Sequence, residues 1–416
     1  MGKLLIKNIK GLVLAEEQPL PYRAGTAMRE APVIEDAWLA IEDDKFVSFG
    51  SMEEWSGIDD WRDLEVIDAD GAYVLPAWCD SHTHLVYAAP REQEFEMRIK
   101  GLSYEEIARN GGGILNSAKR LSAATRQDLF HSALRRMEEI TGFGTAAVEI
   151  KSGYGLNTED ELKMLQVIRD LRSHFPHAIK STFLGAHAIP AEYKENRAGY
   201  IKLITDEMLP KIAAENLADF CDVFCDRGFF NPEETDTILK AAAALGMRAK
   251  IHANELDYSG GIQVGVKNKA LSVDHLECTG DEEIEVLLTS GTMPTLLPGT
   301  AFFIGLEYPP ARKMIDAGLP VALATDYNPG SCPSGNMPFV LSLACTQMKM
   351  LPIEAIVAAT QNGAYAMGLH ETHGTISPGK TASFIITAPM PGLAYLPYAF
   401  GSKVIQQVYI SGKRLL

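Results

Sequence analysis

Eight short apolar runs alternate with helix-like stretches through the middle of this chain, and that alternation constrains the fold more than any other feature. The runs span residues 77–84, 145–151, 179–187, 220–226, 249–253, 271–275, 292–297 and 321–326. Such repeats build parallel sheets, because a parallel neighbour is reached only through a crossover of a dozen or more residues, usually a helix. Between the runs, Phe130, Leu134 and Met137 recur at i, i+4 and i+7, one face of a helix. Asn231-Pro232-Glu233-Glu234 reads as a helix start, with Asn as cap and Pro in the first turn. Eight strands and their crossovers in about 300 residues fit an α/β fold of the (β/α)8 TIM-barrel type. An open doubly wound sheet has the same local pattern, so counting leaves closure undecided.

The two chain ends read differently. Leu4 to Leu14, Ala37 to Phe49 around Asp43-Asp44, and Val66 to Leu75 around Asp70-Gly71 are short-strand patterns, and residues 383–386 and 404–410 repeat them. The expected organisation is a small discontinuous β-sandwich domain from 1–70 and 377–416, enclosing a barrel at 71–376.

Barrels gather their reacting groups at the C-terminal ends of strands, so the residue closing each run matters. His82 and His84 close the first, His187 the third, His252 the fifth, His275 the sixth and Asp326 the eighth; Glu255 follows His252 by three. Residues i and i+2 of a strand share a face, so His82 and His84 can address one ion, and imidazole suits Zn or Fe. An HxH pair alone is a weak signal, and Asp326 lies in a Thr-Asp-Tyr-Asn-Pro-Gly segment where an Asx turn would explain it. His252 and Asp326 at equivalent strand ends tip the reading toward a metal. The remaining histidines do not join them. His370 and His373 lack the i, i+4 spacing of a zinc-binding helix and read as exposed loop, while His131, His174 and His177 read as solvated or packed. Gly111-Gly112-Gly113 has neither the preceding strand nor the following Gly-Lys-Ser/Thr of a phosphate cradle and reads as a mobile loop.

Charge and composition remove several classes. With 38 Lys+Arg against 54 Asp+Glu and a net charge of −16, no basic cluster exists to hold a nucleic acid. No apolar run approaches the roughly 18 residues of a membrane span. Lys3 and Lys7 interrupt any signal-peptide core, and the six cysteines form no paired framework. A cytoplasmic protein with no nucleic-acid or membrane partner is expected.

With these residues assembled, the chain resembles the amidohydrolase superfamily across nearly its whole length. The resemblance is carried by the start Pro76 to His84, the strand-ending His252, His275 and Asp326, and the tail Gly374 to Ala382. More specific are Lys151-Ser152-Gly153-Tyr154-Gly155-Leu156, the segments Phe183 to Pro190 and His252 to Leu256, and Ala324 to Ser331. The resemblance implies a hydrolase that opens the ring amide of 4-imidazolone-5-propanoate to N-formimidoyl-L-glutamate, using a metal-activated water. It implies one Zn or Fe ion per subunit on His82, His84, His252 and Asp326. The fourth run lacks the lysine with which binuclear members bridge two ions, and Lys151 is assigned a pocket or structural role.

Glu255, His275 and Asp326 are the implied proton-transfer and oxyanion-stabilising groups. Arg91 is matched to the propionate, and Tyr104, Tyr154, His187, Glu255, Asn328, Gly330 and Ser331 to the substrate pocket. A small-molecule partner is implied, and a homodimer is an assembly the resemblance allows. Ala77 in place of Gly and Ser383 in place of Asp depart from the family pattern, both outside the implied ligands. Two other readings remain at this point: a mononuclear deaminase of a cytosine- or guanine-like base, and a hydrolase-like scaffold without catalysis. A neutral base would leave Arg91 without a carboxylate to bind.

Overall fold

The chain ends pair with each other. In the computed structural model, which describes residues 2–58, 61–102, 106–107 and 112–416, the N-terminal segment forms β1 (Lys3–Val13), β2 (Val33–Glu42), β3 (Lys45–Ser51), β4 (Leu64–Asp68) and β5 (Tyr73–Pro76). The turn expected at Asp43-Asp44 joins β2 to β3, and Asp43 takes the left-handed backbone (φ 56°) that Asp tolerates better than most residues.

The eight apolar runs become β6 (Trp78–Thr83), β7 (Thr145–Lys151), β8 (Ala178–Ala186), β9 (Phe220–Cys225), β10 (Arg248–Ala253), β11 (Ser272–His275), β12 (Met293–Leu296) and β13 (Ala322–Leu323). Each pairs in parallel with the next. Closure comes from the first and last. Thr83 pairs in parallel with Tyr327. Asp326 N donates to His82 O at 3.0 Å and His84 N to Tyr327 O at 2.9 Å. Just below, the buried Asp80 carboxylate accepts from Thr325 N at 3.0 Å and Thr325 Oγ1 at 2.6 Å. The expected barrel is therefore closed along a seam of backbone and side-chain hydrogen bonds.

After the barrel come β14 (Phe384–Thr387), β15 (Ile405–Ile410) and β16 (Lys413–Arg414). They complete a mixed sheet of order β16-β15-β14-β5-β1-β2-β3, with β4 also on β1. This sheet takes in Tyr73–Pro76, past the boundary expected at residue 70. Strand alternation gives it two apolar faces. Leu4, Ile6, Leu39, Ile41, Val74, Phe384 and Ile386 form one core, whereas Leu75, Ile385, Val408 and Ile410 join the core around the barrel. Helix starts follow the sequence: Asn231 caps Pro232–Ala244 in a reciprocal box with Glu234, and Thr125 caps Arg126–Gly142 with Asp128. Among the described residues no helix is long and apolar enough to cross a membrane.

Candidate metal centre and active site

Three imidazoles and a carboxylate from remote parts of the chain meet at one end of the barrel. His82 Nε2 lies 3.1 Å from His252 Nε2, and His252 Nε2 lies 3.4 Å from His84 Nε2. Asp326 Oδ1 lies 3.5 Å from His82 Nε2 and 3.6 Å from His84 Nε2. All four side chains are buried. Strand ends explain their placement: His82 is on β6, His84 just beyond it, His252 on β10, and Asp326 beyond β13. Asp326 adopts φ 56°, and its other oxygen accepts from Thr300 Oγ1 at 2.5 Å and Ser331 Oγ at 3.3 Å.

The donor set fits a cation. His82 Nδ1 faces Asp274 Oδ2 at 2.7 Å and His252 Nδ1 faces Asp222 Oδ2 at 2.9 Å, so each ring carries its proton on Nδ1. That leaves the Nε2 lone pairs pointing at one another. Burial, reinforced by the Lys151 charge for His82 and by His187 for His84, holds both rings well below the usual histidine pKa and therefore neutral. Facing lone pairs beside a carboxylate are mutually repulsive unless a positive ion lies between them. His84 Nδ1 has no hydrogen-bond partner among the described residues.

Beneath the histidines lies a charged layer that sequence reasoning missed. Lys151 Nζ donates to Glu149 Oε1 at 2.6 Å and Asp222 Oδ2 at 2.8 Å, and lies 3.6 Å from Asp274 Oδ2. Lys250 Nζ bonds to Glu149 and donates to Ser81 O at 2.9 Å. Thr182 Oγ1 donates to Glu149 Oε1 and Ser272 Oγ to Asp274 Oδ1, both at 2.5 Å. A signal was present: the i, i+2 alternation that makes His82 and His84 co-facial also makes Glu149 with Lys151, and Lys250 with His252, co-facial. Lys151 thus has the structural surroundings the sequence favoured.

At the rim, His275 takes the left-handed backbone (φ 86°), uncommon outside glycine, and sets its Nδ1 3.7 Å from Glu255 Oε2 and 3.8 Å from Glu277 Oε2. Burial opposes a charge on His275, but Glu255 and Glu277 outweigh it and raise its pKa; burial raises that of Glu255. Glu277, absent from the sequence reading, has both carboxylate oxygens buried without a hydrogen bond among the described residues. Ligand atoms of His82, His275 and Asp326 also come within 4.8 Å of one another, so His275 borders the ion position.

The His187 ring stacks on His84 with centroids 5.4 Å apart, anchored by Nδ1 at 2.9 Å from Gly153 O; burial pushes its pKa down to about 3. Tyr154 lies 5.8 Å from His84 and 5.3 Å from His187, ring to ring. Arg91 is the odd cation. Among the described residues its Nε and Nη1 are buried without a hydrogen-bond partner, and its only ion contact is Glu94 Oε2 at 3.7 Å. Its charge is felt by Tyr154 and His187, the rings flanking His84. Gly330 makes room for it, because a Cβ there would fall 1.1 Å from Arg91 Nη2. Asn328 Oδ1 accepts from Gly330 N and Ser331 N, each at 2.8 Å, so the amide shapes the loop that carries these residues. Tyr104 lies outside the described residues.

The sequence pattern of the amidohydrolase family matches residues 73–415, the barrel and the returning strands together. The chain belongs to the amidohydrolase family. As an amidohydrolase it is a metal-dependent hydrolase acting on a small molecule, in keeping with the four converging donors. Its relatives include the imidazolonepropionase of Christiangramia forsetii, 54% identical over 410 residues and covering 99% of both chains. The imidazolonepropionase of Flavobacterium psychrophilum is 55% identical over 411 residues, again 99% of both. Among solved structures, a triazine hydrolase variant superposes with a TM-score of 0.77 over 100% of this chain and 94% of its own, at 16% identity. That last likeness is one of fold.

Proposed function

We propose that this site performs imidazolonepropionase chemistry, hydrolysing the ring amide of 4-imidazolone-5-propanoate to N-formimidoyl-L-glutamate. The observation that carries the reading is Arg91, whose Nε and Nη1 are buried without a hydrogen-bond partner among the described residues, beside rings that flank the converging imidazoles and Asp326. A substrate ending in a carboxylate supplies what Arg91 lacks, and planar guanidinium forks suit carboxylates. A neutral nucleobase would leave that charge with only the 3.7 Å contact to Glu94 among the described residues, which disfavours the deaminase reading.

His82, His84, His252 and Asp326 are the proposed ligands, with donor types that serve Zn and Fe alike. These residues would hold the ion, whose chemistry there would be to make a water nucleophilic at neutral pH. Arg91 holds the propionate, with Tyr154, His187 and the 328–331 loop (Asn328, Gly330, Ser331) shaping the pocket. His275, whose pKa is raised by the neighbouring Glu255 and Glu277, donates to the ring carbonyl oxygen as negative charge builds on it. Glu255 delivers a proton to the ring nitrogen as the C–N bond breaks, and Asp326 shares in proton transfer from the attacking water. Tyr104 remains a proposed pocket residue on sequence grounds. The enzyme is taken as cytoplasmic and its assembly as a homodimer.

The test is a metal-replete assay of imidazolonepropionate loss and of ammonia release. His252→Ala should abolish turnover and lose the metal. Arg91→Ala should raise KM far more than it lowers kcat, and Gly330→Ala should act in the same direction, because its methyl evicts the guanidinium. Wild-type kinetics in Arg91→Ala would remove the clamp, and ammonia release without ring opening would replace the reaction.

A further inference from the structure

The carboxylates that orient two of the proposed ligands share one counter-charge. Asp222 sets the tautomer of His252 and Asp274 that of His82. Lys151 Nζ lies between them, 2.8 Å from Asp222 Oδ2 and 3.6 Å from Asp274 Oδ2, with every group sealed from solvent. The three residues come from β7, β9 and β11, so the contact exists only because the barrel is closed.

We propose that Lys151 is a positioning residue for the metal centre, holding Asp222 and Asp274 in place as acceptors so that His82 and His252 present their Nε2 atoms to the ion. This rests on the four-ligand reading above. Without the ammonium, the two buried carboxylates lose the one charge that contacts both of them, and repulsion between carboxylates in a dry interior is strong. Rotation of either one relieves it and takes the acceptor from an imidazole Nδ1. The ring then loses its orientation toward the ion, the kind of outer contact whose loss weakens metal binding about 10–100-fold.

Lys250 provides an internal comparison. It is equally buried, but it binds Glu149 and the carbonyls of Ser81 and Ala366, and reaches Asp274 Oδ2 only at 3.9 Å. A purely structural role would make the two lysines equivalent with respect to the metal.

The experiment uses the full chain, stripped of metal and titrated with Zn2+ against a chromogenic chelator, with a thermal melt of each apo protein alongside. Lys151→Met should weaken zinc binding by about 10–100-fold. Lys250→Met should lower the melting temperature while leaving zinc affinity close to wild type. Wild-type zinc affinity in Lys151→Met, or equal losses in the two lysine variants, overturns the proposal. Should Lys151→Met fail to fold, the decision passes to Asp222→Asn with and without Lys151→Met. Two lysines against three carboxylates leave one net negative charge in this layer, and the double variant keeps that balance. In it Asp274 is still released, so zinc binding should fall several-fold below the Asp222→Asn single; equal affinities overturn the proposal. His252→Ala, run in parallel, separates the two readings. If it retains zinc, the four-ligand reading fails; if it alone loses zinc, only the role of Lys151 fails.

Discussion

Phe384 in the terminal sheet and Asp274 in the barrel are both completely buried, yet their surroundings are stabilised by opposite means. Phe384 lies among aliphatic side chains and stacks on Tyr409, centroids 4.5 Å apart with planes 7° from parallel. Burying such a side chain contributes about 1.5–3 kcal/mol, and an aromatic pair adds about 0.5–1.5 kcal/mol. Asp274 is surrounded by Lys151, Lys250, Ser272 and His82. Buried ion pairs of this kind roughly break even against apolar packing of the same volume. The terminal sheet is thus dry because dryness stabilises it, whereas the barrel floor is dry and charged because the site above it needs oriented imidazoles. Stability and function are sealed into separate interiors of one chain.

The sharpest way to break this contrast is Phe384→Ala. It should cost about 3–5 kcal/mol in denaturant unfolding and leave kcat/KM per folded molecule unchanged. A loss of catalytic efficiency there would show that the two interiors are coupled. Next in size, Asp274→Asn keeps the shape but removes the charge facing His82. Zinc affinity should drop by about 10–100-fold, or about 1.4–2.8 kcal/mol, with a smaller loss of stability than Phe384→Ala. The reverse ranking would make the charged layer a folding element.

The last effect, absent at neutral pH, lies where the two regions touch. His177 is buried next to Thr141, Nε2 to Oγ1 3.0 Å, one residue from Pro176, whose carbonyl accepts from Ser411 of the terminal sheet. Burial pushes its pKa down to about 4 from the ordinary 6.5. The unfolded chain therefore takes up the proton first as pH falls. The contribution of the neutral ring is intact above about pH 6.5 and is lost toward pH 4, with a limiting slope of about 1.4 kcal/mol per pH unit. His177→Gln should flatten that part of the stability profile and leave activity at neutral pH unaltered. An unchanged slope would exclude His177 as its source.

How much of this was legible depends on how far apart the interacting residues lie. His82, His84, His252, His275 and Asp326 could be found because each closes an apolar run, and strand ends are where barrels place their chemistry. Glu149 and Lys250 carried the same alternation but passed unremarked, and Lys151 was given a pocket or structural role without its partners, because two co-facial charges have no meaning until their partners across the barrel are known. Arg91 had nothing local to distinguish it from a surface cation, and the resemblance alone selected it. Its burial and its fit against Gly330 are facts of folding. Barrel closure was equally unreadable, since the Asp80 to Thr325 bonds join residues 245 positions apart.

Strand and helix periodicity, the caps at Thr125 and Asn231, and the polar residue ending each strand were determined by the amino-acid order itself. All of these are contacts among near neighbours, where covalent geometry already sets the spacing. Closing the eight strands, seating a guanidinium against a glycine and suspending two aspartates from one lysine belong to the tertiary structure. They join groups that meet only after hundreds of residues have packed, and their energies are set by the water that packing removes.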